Sequence, residues 1–110
     1  MTIDNLIEKA SAYMKVSELD RIREAYAFAD KAHVGQVRKS GEPYILHPLA
    51  VAEILVDMQM DATSVIAALL HDVVEDTTVP LEEVRERFGE TCAMLVDGLT
   101  KLEKIKFKTK

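Results

Sequence analysis

Six consecutive residues, His71-Asp72-Val73-Val74-Glu75-Asp76, hold one imidazole and three carboxylates. They follow directly on the apolar run Val65–Leu70. A helix that is apolar on most sides is normally buried, and ionisable groups at its end are costly unless a metal, a partner or solvent satisfies them. Helical spacing predicts that His71 stacks with Glu75, and Asp72 with Asp76, on neighbouring faces. Imidazole nitrogen and carboxylate oxygen are ligands for divalent transition metals such as Mn, Fe and Zn. His71 and Asp72 offer two such groups, and His47, expected at the start of the preceding helix, offers a third. The ordinary alternative is a capping His47 and a solvated helix end over residues 71–76.

Glu75 and Asp76 suit general acid/base work on a water activated by a metal. The alternative is solvent-exposed charge. Acids at a helix C-terminus oppose the helix dipole, however, so a compensating cation is plausible there. The segment Gln36-Val37-Arg38-Lys39-Ser40-Gly41-Glu42-Pro43-Tyr44 ends close to His47. Its Arg38 and Lys39 can hold phosphates or lie against a base plane, although composition alone describes an exposed loop. His33 shares a stripe with Leu19, Ile22, Tyr26 and Ala29, and reads as a hydrogen-bonded core histidine rather than a ligand. Met58 and Met60 read as packing residues. No P-loop, dinucleotide fingerprint, zinc-finger spacing or serine nucleophile elbow occurs.

The elements that must position these groups are helices. Asp4 to about Tyr13 reads as a short helix. Ser17 is expected to cap a second, with Asp20 completing a weak capping box, and that helix runs to about Val34. Gly35, Ser40-Gly41 and Glu42-Pro43 signal a loop. His47-Pro48 opens a third helix, which reaches about Met58. Asp61 caps a fourth, carrying His71–Asp76 near its end. Pro80 to Phe88 forms a short helix stopped at Gly89. A last helix starts near Thr91, with Cys92, Leu95, Leu99 and Leu102 on one stripe. The expectation is an all-α bundle of five to six helices with short connections.

Composition bounds the function. The 110 residues are 48% hydrophobic, with no Trp and few Gly or Pro, which describes one helical domain. Val65–Leu70 is far too short to cross a membrane, and the N-terminus has no signal-peptide pattern. The lone Cys92 excludes an internal disulfide, fits a reducing cytoplasm and reads as a small buried hydrophobe. A net charge of −5 argues against a general nucleic-acid surface, so an anionic substrate needs a local basic patch. The last ten residues nonetheless carry five Lys.

The connected run His33-x-Gly35-Gln36-x-Arg38-Lys39-Ser40-Gly41-Glu42-Pro43-Tyr44-x-x-His47-Pro48 resembles the N-terminal hydrolase domain of the RelA/SpoT family, which makes and destroys (p)ppGpp. Leu70-His71-Asp72-Val73-Val74-Glu75-Asp76-Thr77 and the stretch from Phe88-Gly89 through Val96-Asp97-Gly98-Leu99-Thr100-Lys101 match as well, so the resemblance spans nearly the whole chain. It implies an HD-domain-like helical bundle, incomplete at the C-terminus, in a cytoplasmic protein. By the same resemblance, His47, His71 and Asp72 are ligands of one Mn²⁺. Glu75 and Asp76 position or activate the attacking water, and Arg38, Lys39 and Ser40 line a guanine-nucleotide site. The implied reaction removes the 3′-pyrophosphate of (p)ppGpp, giving GDP or GTP and pyrophosphate, in a parent protein that is also a GTP diphosphokinase.

One departure matters. The family's fourth protein ligand, an Asp on a later helix followed by a substrate-holding Asn, has no match within these 110 residues. Asp97 falls in a stretch matching another part of the pattern. The expectation is therefore an N-terminal fragment lacking the synthetase and regulatory domains, with weak metal binding, low activity, and self-association through exposed apolar surface. Two other readings stay open: a stand-alone HD phosphohydrolase acting on another nucleotide, and a non-catalytic helical regulatory module.

Overall fold

The computed structural model describes residues 2–34, 41 and 45–108, with only the backbone over 102–108. Among these residues every regular element is helical: α1 (Ile3–Ala10), α2 (Val16–Ala32), α3 (Leu46–Asp57), α4 (Ala62–Leu70), α5 (Val73–Asp76), α6 (Leu81–Phe88) and α7 (Glu90–Lys108). The all-α expectation holds. The count exceeds five to six because the fourth helix does not run through His71–Asp76. It stops at Leu70, passes through His71 and Asp72 in right-handed backbone, and resumes as the single turn α5. No described helix is long and apolar enough to cross a membrane.

Local chemistry sets most boundaries. In α1 the Thr2 hydroxyl accepts from the Asn5 amide, and the Asn5 side chain accepts from the Thr2 amide, so two amides of the first turn are satisfied reciprocally. Helix α2 begins before Ser17. Glu18 reaches back to accept from the Lys15 amide at 2.9 Å, placing the start at Val16 rather than at a serine cap. Helix α6 ends where expected, at Gly89, whose φ of +100° lies in the region that favours glycine.

Helix α4 is the axis of the core. Every residue from Val65 to Leu70 is buried. It packs against α2, α3 and α7, while α1 closes over α2 and α3, and α6 lies on α7. The cost of ordering this chain is met mainly by apolar burial of this kind. The α2 stripe behaves as read from the sequence: Ile22, Ala29 and His33 are buried, with Leu19 and Tyr26 half-buried against the core.

Two packing expectations fail. Met58 is 66% exposed and Met60 is 37% exposed, because α3 has already ended when they occur. On α7 the buried line is Cys92, Ala93 and Val96, whereas Leu95 and Leu99 face outward. Helix α7 rests on α4 by its small residues, so its leucines turn away. The Leu102 side chain lies outside the described residues. Cys92 is fully buried, and desolvation pushes its thiol up to about 11.

The short connection over residues 58–61 makes α3 and α4 antiparallel neighbours. The beginning of α3 and the end of α4 therefore share one end of the bundle. His47 stands in the first turn of α3, and His71 directly follows α4.

Candidate metal centre

Two imidazoles and one carboxylate meet at that end. One ligand atom each from His47, His71 and Asp72 lies within 4.8 Å of the others. His71 and Asp72 are buried, and His47 is partly exposed. The rings of His47 and His71 have centroids 6.0 Å apart and are tilted by 57°.

The end of α4 fixes the chemistry of His71. Its Nδ1 lies 2.7 Å from the Ala68 carbonyl oxygen. A carbonyl only accepts, so Nδ1 carries the proton, and in the neutral ring Nε2 keeps its lone pair. That Nε2 faces Asp72 Oδ1 at 3.2 Å. A lone pair facing a carboxylate in a buried site is repulsive unless a proton or a cation sits between them. Two nitrogens, a carboxylate and an outer hydrogen bond orienting one imidazole make a donor set that fits a divalent transition metal.

Burial is also the main reason that the Asp72 carboxyl is held above its ordinary range. His71 pulls it down, Asp76 pushes it up, and His47 and His33 pull it down. The expected metal residues are thus brought together, and Asp76 is close enough to act on them. Glu75 and Asp76 are exposed on α5. The break after Leu70 alters their expected stacking on one continuous helix, although Asp76 still donates its amide to the Asp72 carbonyl at 2.8 Å. Arg38, Lys39 and Ser40 lie outside the described residues. Asp97 pairs with Lys101 on α7 at 3.0 Å and is not part of the cluster.

Known proteins carry the same arrangement of sequence. The HD domain family matches residues 25–110, more than three-quarters of the chain. This chain belongs to the HD domain family.

Within that family it is similar to the guanosine-3′,5′-bis(diphosphate) 3′-pyrophosphohydrolase of Vibrio cholerae, at 48% identity over 105 residues, covering 96% of this chain and 15% of that protein. It is 46% identical over 107 residues to the bifunctional (p)ppGpp synthase/hydrolase SpoT of Escherichia coli, covering 97% of this chain and 15% of SpoT. It is 52% identical over 94 residues to the GTP pyrophosphokinase of Streptomyces coelicolor, covering 86% of this chain and 11% of that protein. The chain therefore spans about one-ninth to one-seventh of the length of these curated relatives. These relatives support the RelA/SpoT resemblance. HD domains depend on metal, and this HD domain carries a His/Asp cluster able to hold an ion. His33, read from the sequence as a core histidine, is buried at the end of α2, as expected.

Proposed function

We propose that residues 1–110 form the N-terminal part of a domain that hydrolyses the 3′-pyrophosphate of (p)ppGpp, releasing GDP or GTP and pyrophosphate. One observation carries this reading: the meeting of His47, His71 and Asp72 within 4.8 Å. It occurs in a chain nearly half identical to proteins named for that activity. The relative named as a GTP pyrophosphokinase supports a parent protein that also makes the nucleotide. His47, His71 and Asp72 hold a single Mn²⁺ in this reading. When bound, such an ion polarises a phosphoryl oxygen and lowers the pKa of water toward neutrality.

The chain's own residues do the rest. Nδ1 of His71, tied to the Ala68 carbonyl, keeps the ring in one orientation. Glu75 and Asp76, on the exposed side of the cluster, orient the attacking water and take its proton. The water oxygen bonds to phosphorus, the bond from that phosphorus to the ribose 3′ oxygen breaks, and the proton returns to the 3′ oxygen. Arg38, Lys39 and Ser40 contact the nucleotide, and the protein works in the cytoplasm.

The test is product analysis. The product of the gene encoding this chain, supplied with Mn²⁺ and ppGpp, is expected to release GDP and pyrophosphate in equal amounts, and a chelator should stop the release. Release of single phosphates, or turnover unaffected by the chelator, would overturn the reading.

A further inference from the structure

Helix α3 is apolar on two opposite sides. Leu49, Ala52 and Val56 bury one side in the core. Leu46, Ala50, Ile54 and Met58 follow the other at steps of four residues, and all four are exposed, Ile54 by 58% and Met58 by 66%. A surface helix normally turns its polar residues outward, and one that is apolar all round is normally covered on every side. The carboxylates bordering the stripe are already engaged: Lys9 Nζ binds Glu53 Oε2 at 2.8 Å and Asp57 Oδ1 at 3.1 Å.

The stripe is complementary to itself. Residues 46, 50, 54 and 58 make one ridge, and reversing its direction sets Ala50 against Ile54 and Leu46 against Met58. A small residue thus meets a large one on each side of the midpoint. Two such ridges align when the helices cross at about −50°, the commonest class in globular proteins. Helix α3 also has no acid in its first turn and no base in its last. An antiparallel crossing turns the positive end of each helix dipole toward the negative end of the other. The outer ridge of α7 lacks this fit, because reversing it sets Leu95 against Leu99, large on large, beside the Asp97–Lys101 ion pair.

We propose that the outer face of α3 is a two-fold interface with a second copy of this chain, centred on contacts between Ala50 and the partner's Ile54, made twice. Such a contact closes at two copies and does not grow further. A single helix pair lies at the small end of specific interfaces, so the dimer forms and parts with concentration. The stripe begins beside His47, so the second copy borders the metal cluster.

Sedimentation over about a hundredfold range of protein concentration reads the association directly. The chain is expected to pass from monomer to dimer. Ile54→Glu puts a charge at the centre of the contact twice over and should weaken the dimer by more than about 100-fold. Because Ile54 is exposed, thermal unfolding should stay close to the parent's. Leu95→Glu should leave the association as it is. The register has its own test. Mixed Ala50→Cys and Ile54→Cys chains are expected to oxidise to the mixed disulfide well above its statistical share, because those positions face each other. Cys92 stays out of the reaction, being buried with its thiol pushed up to about 11. A monomer at every concentration, growth past a dimer, loss of association in Leu95→Glu, parent-like association in Ile54→Glu, or a statistical mixture of disulfides each overturns the proposal. If Ile54→Glu does not fold, the disulfide yields decide.

Discussion

Helices α3 and α4 end in opposite ways. Each must satisfy the carbonyls of its last turn. Helix α3 does so at the surface with backbone alone: the Gln59 amide donates to the Val56 carbonyl at 2.9 Å, and the Met60 amide donates to the Leu55 carbonyl at 3.0 Å. This Schellman arrangement requires a left-handed residue, and Gln59 takes it at φ +57°. Helix α4 ends in the interior, continues in right-handed backbone, and uses a side chain, with His71 Nδ1 bonded to the Ala68 carbonyl. The difference shows what an interior helix end can do. A surface cap needs only to stop a helix. The buried end of α4 stops one and, with the same bond, fixes which nitrogen of His71 is free to bind a cation.

The strongest way to break that contrast is His71→Ala. It removes a ligand and an orienting bond together. Mn²⁺ affinity is expected to fall by more than about 100-fold, beyond the loss caused by outer partners alone. The metal-free fold should weaken by about 1–3 kcal/mol, because a buried carbonyl loses its donor. Hydrolysis of ppGpp by the parent protein should become undetectable. Calorimetry, thermal unfolding and product release measure the three effects. Retained Mn²⁺ affinity in a folded variant would show that the end of α4 is only a cap.

Asp76→Asn and Glu75→Gln sharpen the contrast from the exposed side of the same junction. Both residues stand on α5, beyond the buried turn. Removing their basicity is expected to lower kcat by about 10²- to 10⁴-fold, in line with general base catalysis, with Mn²⁺ affinity close to the parent's. A parallel loss of affinity would make them ligands instead, and the division between buried ligands and exposed acids would fall.

The parts of this division legible in the sequence were those written in residue type and period. The apolar run Val65–Leu70 announced a buried helix, and the His-Asp pair after it announced a cost that a cation offsets. His47 was placed by the loop before it and by the short 58–61 connection that turns α3 back along α4. The break after Leu70 was not legible, because helical and broken-helical sequences share the same spacing over six residues. Nor was the outward turn of Leu95 and Leu99, since a stripe at helical spacing does not say which side carries the small residues Ala93 and Val96 that let α7 approach α4. His33 was read correctly as buried.

The pH dependence of stability probes the buried end more gently. Burial holds the Asp72 carboxyl above its ordinary 3.8, against the pull of His71. A carboxyl whose folded pKa exceeds its unfolded value favours the fold while it is protonated. That contribution is complete below the unfolded value and is lost as pH climbs through the raised folded value. The metal-free chain should therefore lose stability over that window, and bound Mn²⁺ should remove the loss. Asp72→Asn, with no charge to bury, should lack this component and exceed the metal-free parent by about 1 kcal/mol near neutral pH. Denaturant titrations across mildly acidic pH test it, and an identical slope in Asp72→Asn would assign the loss to other groups.

The surface end of α3 predicts the smallest effect. A left-handed conformation costs a residue with a Cβ roughly 1–2 kcal/mol, whereas glycine adopts it freely but gives up more chain entropy on folding, roughly 0.5–1 kcal/mol. Gln59 is exposed, so its side chain contributes little packing to set against that strain. Gln59→Gly is expected to raise stability by about 0.5 kcal/mol and to leave Mn²⁺ affinity and ppGpp hydrolysis unchanged. Thermal unfolding and metal titration of one preparation test both halves. A change in Mn²⁺ affinity would mean that the ends of α3 and α4 are coupled through α3 itself, since His47 lies at the other end of that helix, and that the surface cap helps to set the ligand geometry.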